Sequence, residues 1–370
     1  MLDAFPAEAR HTAHQLSSES ALMPLSAAQD YPLWINSLIF LVAAVFIWFA
    51  GTRLVRYLDA IAVKTGLGQA FVGMLLLGSI TSLPEIANVM TSSSMGNPSL
   101  AINNLLGSAS INVLLLAIAD SFIGRDALTS LVAQPATLMQ ATLSMIVMAL
   151  VATAITSGDT SVLGIGAWSI AAFASSIGAF WLCAQYERTA PWAVKEEPQS
   201  KERGIPSVEN AGPQSLRLLI ARAAVAGVVI FIAGYCLSQT GDALAVQTGL
   251  GAGLVGFVLI GVSTSLPELS TIVAALRMRK YEMAIGEVLG TNFVNVSLIL
   301  LADAMFTGGP VINELGRFEI ASALLGVVLT GVLLIGLLER RNPTFLRMGY
   351  DSLAIMLAFS GCLVMLYAMR

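Results

Sequence analysis

Two glutamates, Glu85 and Glu268, stand in apolar surroundings that offer them no obvious counter-charge. Each ends a Thr-Ser-Leu-Pro-Glu segment, at residues 81–85 and 264–268, within a long apolar run that contains no lysine or arginine. Because an unpaired charge away from water is costly, such a carboxylate must find a partner elsewhere or be protonated. The pair therefore indicates a functional site rather than ordinary packing.

Both segments belong to a longer internal repeat. Residues 66–120 align with residues 249–303 without a gap when 183 is added to each number, and 22 of the 55 positions are identical. A repeat of this length indicates an ancient duplication. Any role of Glu85 is therefore expected of Glu268 as well.

Oxygen-bearing side chains recur at helical spacing around both glutamates. Hydroxyls lie three and four residues before each carboxylate, and a hydroxyl and an amide lie four residues apart in the following apolar run. Side chains three or four residues apart share one face of a helix. The candidates are Thr81, Ser82, Ser108 and Asn112 in the first repeat, and Thr264, Ser265, Thr291 and Asn295 in the second. Oxygen ligands suit hard cations such as Ca²⁺, whereas zinc and copper prefer nitrogen and sulfur.

The proline before each glutamate is predicted to kink or interrupt its helix. Pro84 and Pro267 lack a backbone N–H and crowd the carbonyls of Ile80 and Ser263, four residues earlier. Carbonyls freed in this way become further ligand candidates.

Composition places these motifs in a membrane. The 370 residues are 56% hydrophobic and 11% charged, with a mean hydropathy of +0.79, whereas soluble proteins carry about 25% charged residues. Apolar runs near the ~20 residues of a bilayer-spanning helix recur from Leu33 onward. We predict an all-α polytopic membrane protein with ten transmembrane helices, at about 33–52, 66–94, 98–119, 127–156, 161–185, 215–238, 249–276, 281–303, 316–338 and 349–369.

The predicted helices fall into two halves of five. Residues 1–31 are polar and are expected to form a flexible tail, without the pattern of a cleaved signal peptide. The first half covers 32–185 and the second 216–370, and the polar segment 186–215 is expected to link them. Each half contains one copy of the repeat.

Lysine and arginine set the expected orientation. Ten spans put 16 of the 19 basic residues on one side and leave Arg10, Arg317 and Arg370 on the other. By the positive-inside rule the richer side is cytoplasmic, so both termini are expected outside and the linker inside. Five helices per half then make the copies antiparallel, an inverted-topology repeat whose substrate site is expected near the membrane midplane. We expect a multi-pass protein of a bacterial inner (plasma) membrane.

The paired motifs resemble the two alpha repeats of the cation/Ca²⁺ exchanger superfamily, and most closely those of its prokaryotic sodium/calcium exchanger-type members. The resemblance rests on TSLPE in both repeats, with GSASIN at 107–112 and GTNFVN at 290–295. It implies Glu85 and Glu268 as the main Ca²⁺ ligands, supported by the oxygens of Thr81, Ser82, Ser108, Asn112, Thr264, Ser265, Thr291 and Asn295. It also implies that the carbonyls of Gly78 and Gly261 bind Na⁺.

Three departures from the family pattern bear on the coupled ion. Ile80 and Ser263 replace a glycine found in many members, and Asn295 replaces an aspartate found in some sodium-coupled microbial members. Glu287 stands where an asparagine is usual, and Asn104 occupies its equivalent place in the first repeat. Without a carboxylate at 295 the site has two carboxylates, a feature shared with proton-coupled members.

The sequence therefore predicts a secondary active antiporter that exchanges Ca²⁺ for Na⁺ by alternating access. A Ca²⁺/H⁺ antiporter is the alternative, and a cation channel is a third hypothesis. No nucleophile–base pair is visible, so we expect no enzyme activity, no cofactor and no nucleic-acid partner. The expected partners are Ca²⁺, Na⁺ or H⁺ and the lipid bilayer, with the protein as a monomer or homo-oligomer. Asp120 and Asp303, also equivalent, are expected at helix ends bound to water or loops.

Overall fold

In the computed structural model, which describes residues 28–121, 127–132, 134–189, 215–248, 265–340, 344–345 and 348–368, the chain is almost entirely helical. The first half contains α1 (Leu33–Thr65), α2 (Gln69–Val72), α3 (Gly78–Thr81), α4 (Leu83–Ser94), α5 (Pro98–Asp120), α6 (Leu128–Leu131), α7 (Pro135–Ser157) and α8 (Ala167–Thr189). The second half contains α9 (Leu216–Gln247), α10 (Leu266–Arg277), α11 (Tyr281–Met305), α12 (Arg317–Glu339) and α13 (Tyr350–Ala368).

Short elements complete the described chain. A π-helical turn, Gly73–Leu77, joins α2 to α3, and 3₁₀ turns cover Ala28–Asp30 and Val311–Glu314. Two antiparallel hairpins precede α8 and α13. Their strands are β1 (Ser161–Val162), β2 (Ile165–Gly166), β3 (Thr344–Phe345) and β4 (Met348–Gly349).

The first predicted helix ends much too early at residue 52. Its polar continuation suggested a loop, but α1 runs on to Thr65. It ends at Gly66, which has a left-handed φ of 72° and donates its N–H to the Ala62 carbonyl. A glycine adopts this conformation without the steric penalty of a side chain, so the stop signal is the glycine rather than the drop in hydropathy.

Several predicted boundaries need correction. The predicted helix 127–156 is divided into α6 and α7, the one predicted from 161 begins at Ala167 after the hairpin β1–β2, and the one predicted to end at 238 continues to Gln247. Residue 28, placed in the predicted tail, is buried, and its carbonyl accepts a 2.8 Å hydrogen bond from Asn36 Nδ2. The predicted start of the linker, 186, falls within α8, which continues to Thr189. Residues 1–27 and 190–214 lie outside the described residues.

The described helices have the lengths of membrane spans. Seven are long and apolar enough to cross a bilayer, and an eighth span is formed if the bent pair Gln69–Thr81 and Leu83–Ser94 counts as one. Tyr350–Met365 is a further, shorter apolar helix. For the predicted helix 249–276 only α10 is described, since residues 249–264 lie outside the described chain. The protein is thus an integral multi-pass membrane protein.

Burial sets α11 at the centre and α1 at the periphery. Within the most apolar 18-residue stretch of each helix, 83% is buried in α11 and 22% in α1. Leu41, Val45 and Phe49 of α1 are all more than half exposed. Large apolar side chains that face outward in this way are matched to lipid rather than to water.

The 183-residue offset extends over both halves of the structure. Helices α1, α5, α7 and α8 correspond to α9, α11, α12 and α13, with boundaries shifted by at most a few residues. The hairpin β1–β2 corresponds to β3–β4 at an offset of 183 in every strand position. The duplication therefore extends well beyond the segment 66–120, in which the sequence identity is visible.

The equivalent aspartates tie the two halves together, as their position at helix ends suggested. Asp120 accepts 2.7 Å hydrogen bonds from the N–H groups of Leu128 and of Gly349 in the other half. Asp303 accepts from Val311 at 2.7 Å and from Gly166 at 2.5 Å. Each carboxylate thus joins the end of its own helix to the hairpin of the opposite half.

The two joints lie at opposite ends of the bundle. Ser99, at the start of α5, donates to the Glu314 carbonyl in the 3₁₀ turn that Asp303 binds. Asp120 is at the far end of the same helix, about 33 Å away at 1.5 Å per residue. Equivalent parts of the repeat therefore point toward opposite ends of the molecule.

Replacing Asp303 by asparagine is expected to lower the melting temperature by about 5–10 °C. The substitution puts an amide group opposite two buried N–H donors, and hydrogen bonds to a charged group contribute about 1.5–3 kcal/mol each. Asp120→Asn should behave alike, because its contacts are equivalent. Thermal unfolding in detergent measures the effect, with exposed Asp30→Asn as the control. An unchanged melting temperature in Asp303→Asn would contradict this role.

Candidate ion-binding site

The helix break predicted at Pro84 is present, whereas the helix predicted before Pro267 lies outside the described residues. The segments Gln69–Thr81 and Leu83–Ser94 meet at an angle of 44°. Ser82 lies at the break with φ −80° and ψ 3°, and Ser265, its equivalent, has φ −95° and ψ 10°. In both repeats the following helix begins with Leu-Pro, where proline's missing N–H has no intrahelical partner to lose. The repeats therefore share one local conformation that starts a new helix just before each glutamate.

Glu85 and Glu268 are fully buried, with 1% and 0% exposure. All four carboxylate oxygens lack a hydrogen-bond partner within the described part of the chain. Both glutamates lie in the first turn of their helices, where backbone N–H groups give a partial positive charge that favours an anion. This partial charge offsets only part of the carboxylate's charge, so both groups require a further positive partner.

Glu85 and Glu268 come from different repeats but lie near each other, so that a charge on either one would act on the other. The Thr81 hydroxyl of the first repeat lies against Glu268, and the Ser108 hydroxyl lies against Glu85, in neither case with regular hydrogen-bond geometry. Thr264 and Gly261 lie outside the described residues.

The amide oxygens of Asn112 in α5 and Asn295 in α11 accept no hydrogen bond from the residues that the structure describes. Asn295 Nδ2 donates to the Leu105 carbonyl at 3.1 Å, and Asn112 Nδ2 lies 3.5 Å from Ser108 Oγ. Asn112 Oδ1, Asn295 Oδ1 and Thr291 Oγ1 are buried without a partner among the described residues. The Asn295 nitrogen thus joins α11 to α5 and the Asn112 nitrogen bonds within α5, while their oxygens have no described donor and could accept a cation.

The hydroxyls before Glu85 are already oriented by the backbone. Thr81 Oγ1 donates to Leu77 and Gly78 carbonyls at 3.1 and 3.3 Å, and Ser82 Oγ donates to Gly78 at 2.7 Å. Each hydrogen is thereby directed to a carbonyl, and the lone pairs remain available to a cation. Ser265 Oγ is buried with no described partner. The Gly78 carbonyl, a predicted Na⁺ ligand, is the acceptor for both hydroxyls.

Glycine brings α11 against the broken helix. A Cβ atom on Gly290 would overlap the backbone of Met74, and one on Gly286 would overlap the backbone of Ala70. At Gly78 a Cβ would lie 3.0 Å from the Thr291 nitrogen. This close approach holds Thr291 beside the helix break, whereas a Cβ atom on the equivalent Gly107 of α5 would meet no described atom within 4 Å.

One buried acid was not included in the predicted site. Glu287 is 0% exposed, and its Oε1 accepts a hydrogen bond from Thr271 Oγ1 of α10. Its spacing of four residues from Thr291 and eight from Asn295 was a usable signal, since these positions share a helix face. The neutral Asn104 at the equivalent position obscured that signal.

Together the fold and these residues define a polytopic membrane protein with a group of buried, unpartnered oxygens of the kind that hard cations prefer. A family model described as sodium/calcium exchanger protein matches residues 35–185 and 218–369. The two matched segments begin 183 residues apart, at the spacing of the internal repeat. The chain belongs to this sodium/calcium exchanger family and is a cation/Ca²⁺ exchange transporter.

Two curated relatives align with most of the chain, and a third aligns with a short segment of it. The inner membrane protein YrbG of Escherichia coli K12 is 24% identical over 277 residues, which are 73% of this chain and 80% of YrbG. The membrane protein MJ0091 of Methanocaldococcus jannaschii is 26% identical over 292 residues, 77% and 87% of the two chains. The sodium/calcium exchanger MaX1 of Methanosarcina acetivorans is 42% identical over 53 residues, 14% of this chain and 15% of MaX1.

Solved structures of the sodium-calcium exchanger NCX_Mj share the fold. A form soaked with Na⁺ and Sr²⁺ matches with a TM-score of 0.66 at 16% identity, over 90% of this chain and 99% of that one. A form soaked with Na⁺ and no Ca²⁺ matches with a TM-score of 0.67 at 15% identity, over 92% and 100%.

Proposed function

We propose that the protein is a secondary active antiporter that exchanges Ca²⁺ for Na⁺ across the membrane. One observation carries the proposal: Glu85 and Glu268 are buried in one site with four carboxylate oxygens that find no described protein partner. A single Ca²⁺ neutralises two carboxylates and accepts six to eight oxygen ligands. The further ligands are drawn from Thr81, Ser82, Ser108, Asn112, Thr264, Ser265, Thr291 and Asn295, with Na⁺ held also by the carbonyls of Gly78 and Gly261.

The buried charge favours exchange over simple permeation. Releasing Ca²⁺ leaves two carboxylates in a low-dielectric interior, which is unfavourable by several kcal/mol per ion. After Ca²⁺ has left, other cations must therefore occupy the site before the transporter can reorient. Na⁺ prefers oxygen ligands as Ca²⁺ does, so the same hydroxyls and carbonyls serve both ions.

The architecture supports alternating access through an inverted repeat of ten helices. The equivalent joints at Asp120 and Asp303 lie at opposite ends of the bundle, as antiparallel copies require. The peripheral α1 and α9 pack along each other and against the broken helices. We expect α1 and α9 to slide across the fixed core and expose a midplane site to each side in turn. The basic residues favour an inner-membrane location with both termini outside and the linker in the cytoplasm.

Na⁺ is the proposed coupled ion because two relatives, MaX1 and NCX_Mj, are named sodium/calcium exchangers. A Ca²⁺/H⁺ antiporter is the second candidate, and Asn295 favours it. With an amide at this position the predicted ligand set contains two carboxylates, whose protonation would make an electroneutral cycle with Ca²⁺.

Uptake of ⁴⁵Ca²⁺ into proteoliposomes separates these functions. We expect uptake into vesicles loaded with Na⁺, and none when a proton gradient replaces the Na⁺ gradient. Uptake with protons alone would assign Ca²⁺/H⁺ exchange instead. Uptake that requires neither ion on the opposite face would contradict antiport altogether and indicate a channel.

A further inference from the structure

The polar face of α11 continues one helical turn beyond the predicted ligands. Glu287, Thr291 and Asn295 are spaced four residues apart and lie along one face over about 12 Å. Their equivalents on α5 are Asn104, Ser108 and Asn112. The two faces match in position but differ in charge, because only α11 carries a carboxylate at this end.

Glu287, like the two central glutamates, has a buried carboxylate oxygen without a described hydrogen-bond partner. Its Oε1 is bonded by Thr271, which lies three residues beyond Glu268 in α10. Its Oε2 is buried and has no partner within the described residues. The same Thr271 hydroxyl lies 2.9 Å from the Glu268 carbonyl oxygen, so Glu287 is close to the first turn of α10 that carries Glu268.

A structural role in helix packing explains the position of Oε1 of Glu287 but not that of the unpartnered Oε2. The bond from Thr271 joins α10 to α11 through Oε1, and a neutral side chain such as the asparagine at 104 could accept it equally. Lys280, two turns earlier on the chain, pairs with Asp59 at 2.8 Å and so has its own partner. A bound cation would give a partner both to this open Oε2 and to the Thr291 hydroxyl one turn further along α11.

We propose that Glu287 is a third carboxylate ligand of the transport site, which holds a monovalent metal cation, Na⁺, together with Glu268 and Thr291. The inference rests on the proposed function and deepens it. Three carboxylates allow a load of up to three positive charges, one more than Ca²⁺ supplies. The proposed Na⁺ position at Glu287 lies on the side of the site nearest Arg277, where α10 ends, and Lys280, which precedes α11.

The test is equilibrium binding of ⁴⁵Ca²⁺ to the purified protein and its displacement by Na⁺. In Glu287→Gln, Ca²⁺ affinity should stay within about threefold of wild type, since Glu85 and Glu268 remain. The Hill coefficient for Na⁺ displacement should fall by about one, and the Na⁺ concentration for half displacement should rise about tenfold. Glu282→Gln, on the same helix but five residues earlier, is the matched control and should leave both values unchanged.

A second variant protects the test against misfolding. Glu287→Asn gives α11 the residue that α5 already carries at position 104, so the fold is expected to accept it. An unchanged Na⁺ response in the folded Glu287 variants would overturn the inference, as would an effect confined to the pH dependence of binding. Retained Ca²⁺ binding in Glu85→Gln would instead overturn the proposed function itself, and this inference with it.

Discussion

Replacing either Glu85 or Glu268 by glutamine is expected to reduce ⁴⁵Ca²⁺ transport at least about 30-fold. Glutamine has nearly the shape of glutamate, but it removes one of the two charges that compensate Ca²⁺. Losing one partner of a buried charge pair costs about 2–5 kcal/mol, which corresponds to a factor of 30 or more in affinity. Both variants should fold normally, because neither carboxylate bonds to a described protein donor.

The control for this experiment is Glu314→Gln, an exposed glutamate in the 3₁₀ turn before α12. It should transport Ca²⁺ at the wild-type rate. Size-exclusion profiles and melting temperatures of all variants establish that lost transport is not lost folding. If Glu85→Gln or Glu268→Gln transports Ca²⁺ normally, these carboxylates are not the ligands that we propose.

Replacing Gly290 by valine is expected to prevent formation of the native bundle. Even a Cβ atom here would overlap three backbone atoms of Met74, and a backbone cannot rotate away as a flexible side chain can. The two helices would have to separate, at a cost above the ~1–3 kcal/mol that is usual for overpacking. We expect most of the protein to elute as aggregate and the remainder to melt at least about 10 °C lower.

The matched control is Gly178→Val in α8, where a Cβ atom meets no described atom within 4 Å. Both variants have the same change in helix propensity, so their difference isolates the close approach of α11. Equal recovery and equal melting temperatures would show that the Gly290 contact does not support the fold.

The proposed ligands stand out in the sequence because the duplication presents each of them twice. Glu85 and Glu268 stand out from apolar runs, and the adjoining prolines explain the bend that the structure contains. The hydroxyls and amides can then be found by their helical spacing, because residues three or four positions apart share one face of a helix. For the described residues Ser265, Thr291 and Asn295, this reasoning agrees with unpartnered oxygens at the site.

The sequence could not predict contacts that depend on how distant segments pack. Asn295 donates to the Leu105 carbonyl 190 positions away, and Gly349 donates to Asp120 across 229 positions. Nothing local in either segment specifies its partner. The role of Glu287 was missed for the same reason, because Thr271 is brought to it by the packing of α10 on α11.

Helix ends were predicted less well than helix positions. Hydropathy shows where an apolar run stops, whereas α1 and α8 continue as helices beyond the end of their apolar runs. Gly66 determines where α1 stops through its left-handed backbone, a feature that average hydropathy does not register.

The most direct test of the central claim is anomalous diffraction from crystals of the protein soaked in Sr²⁺, a heavier substitute for Ca²⁺. If Glu85 and Glu268 bind Ca²⁺, we expect one strong peak between them, within about 2.3–2.8 Å of oxygens from both carboxylates, near the distances that Ca²⁺ adopts. The peak should disappear in Glu268→Gln crystals. A peak elsewhere in the bundle, or none while the two carboxylates bond to each other through a shared proton, would contradict the proposed site.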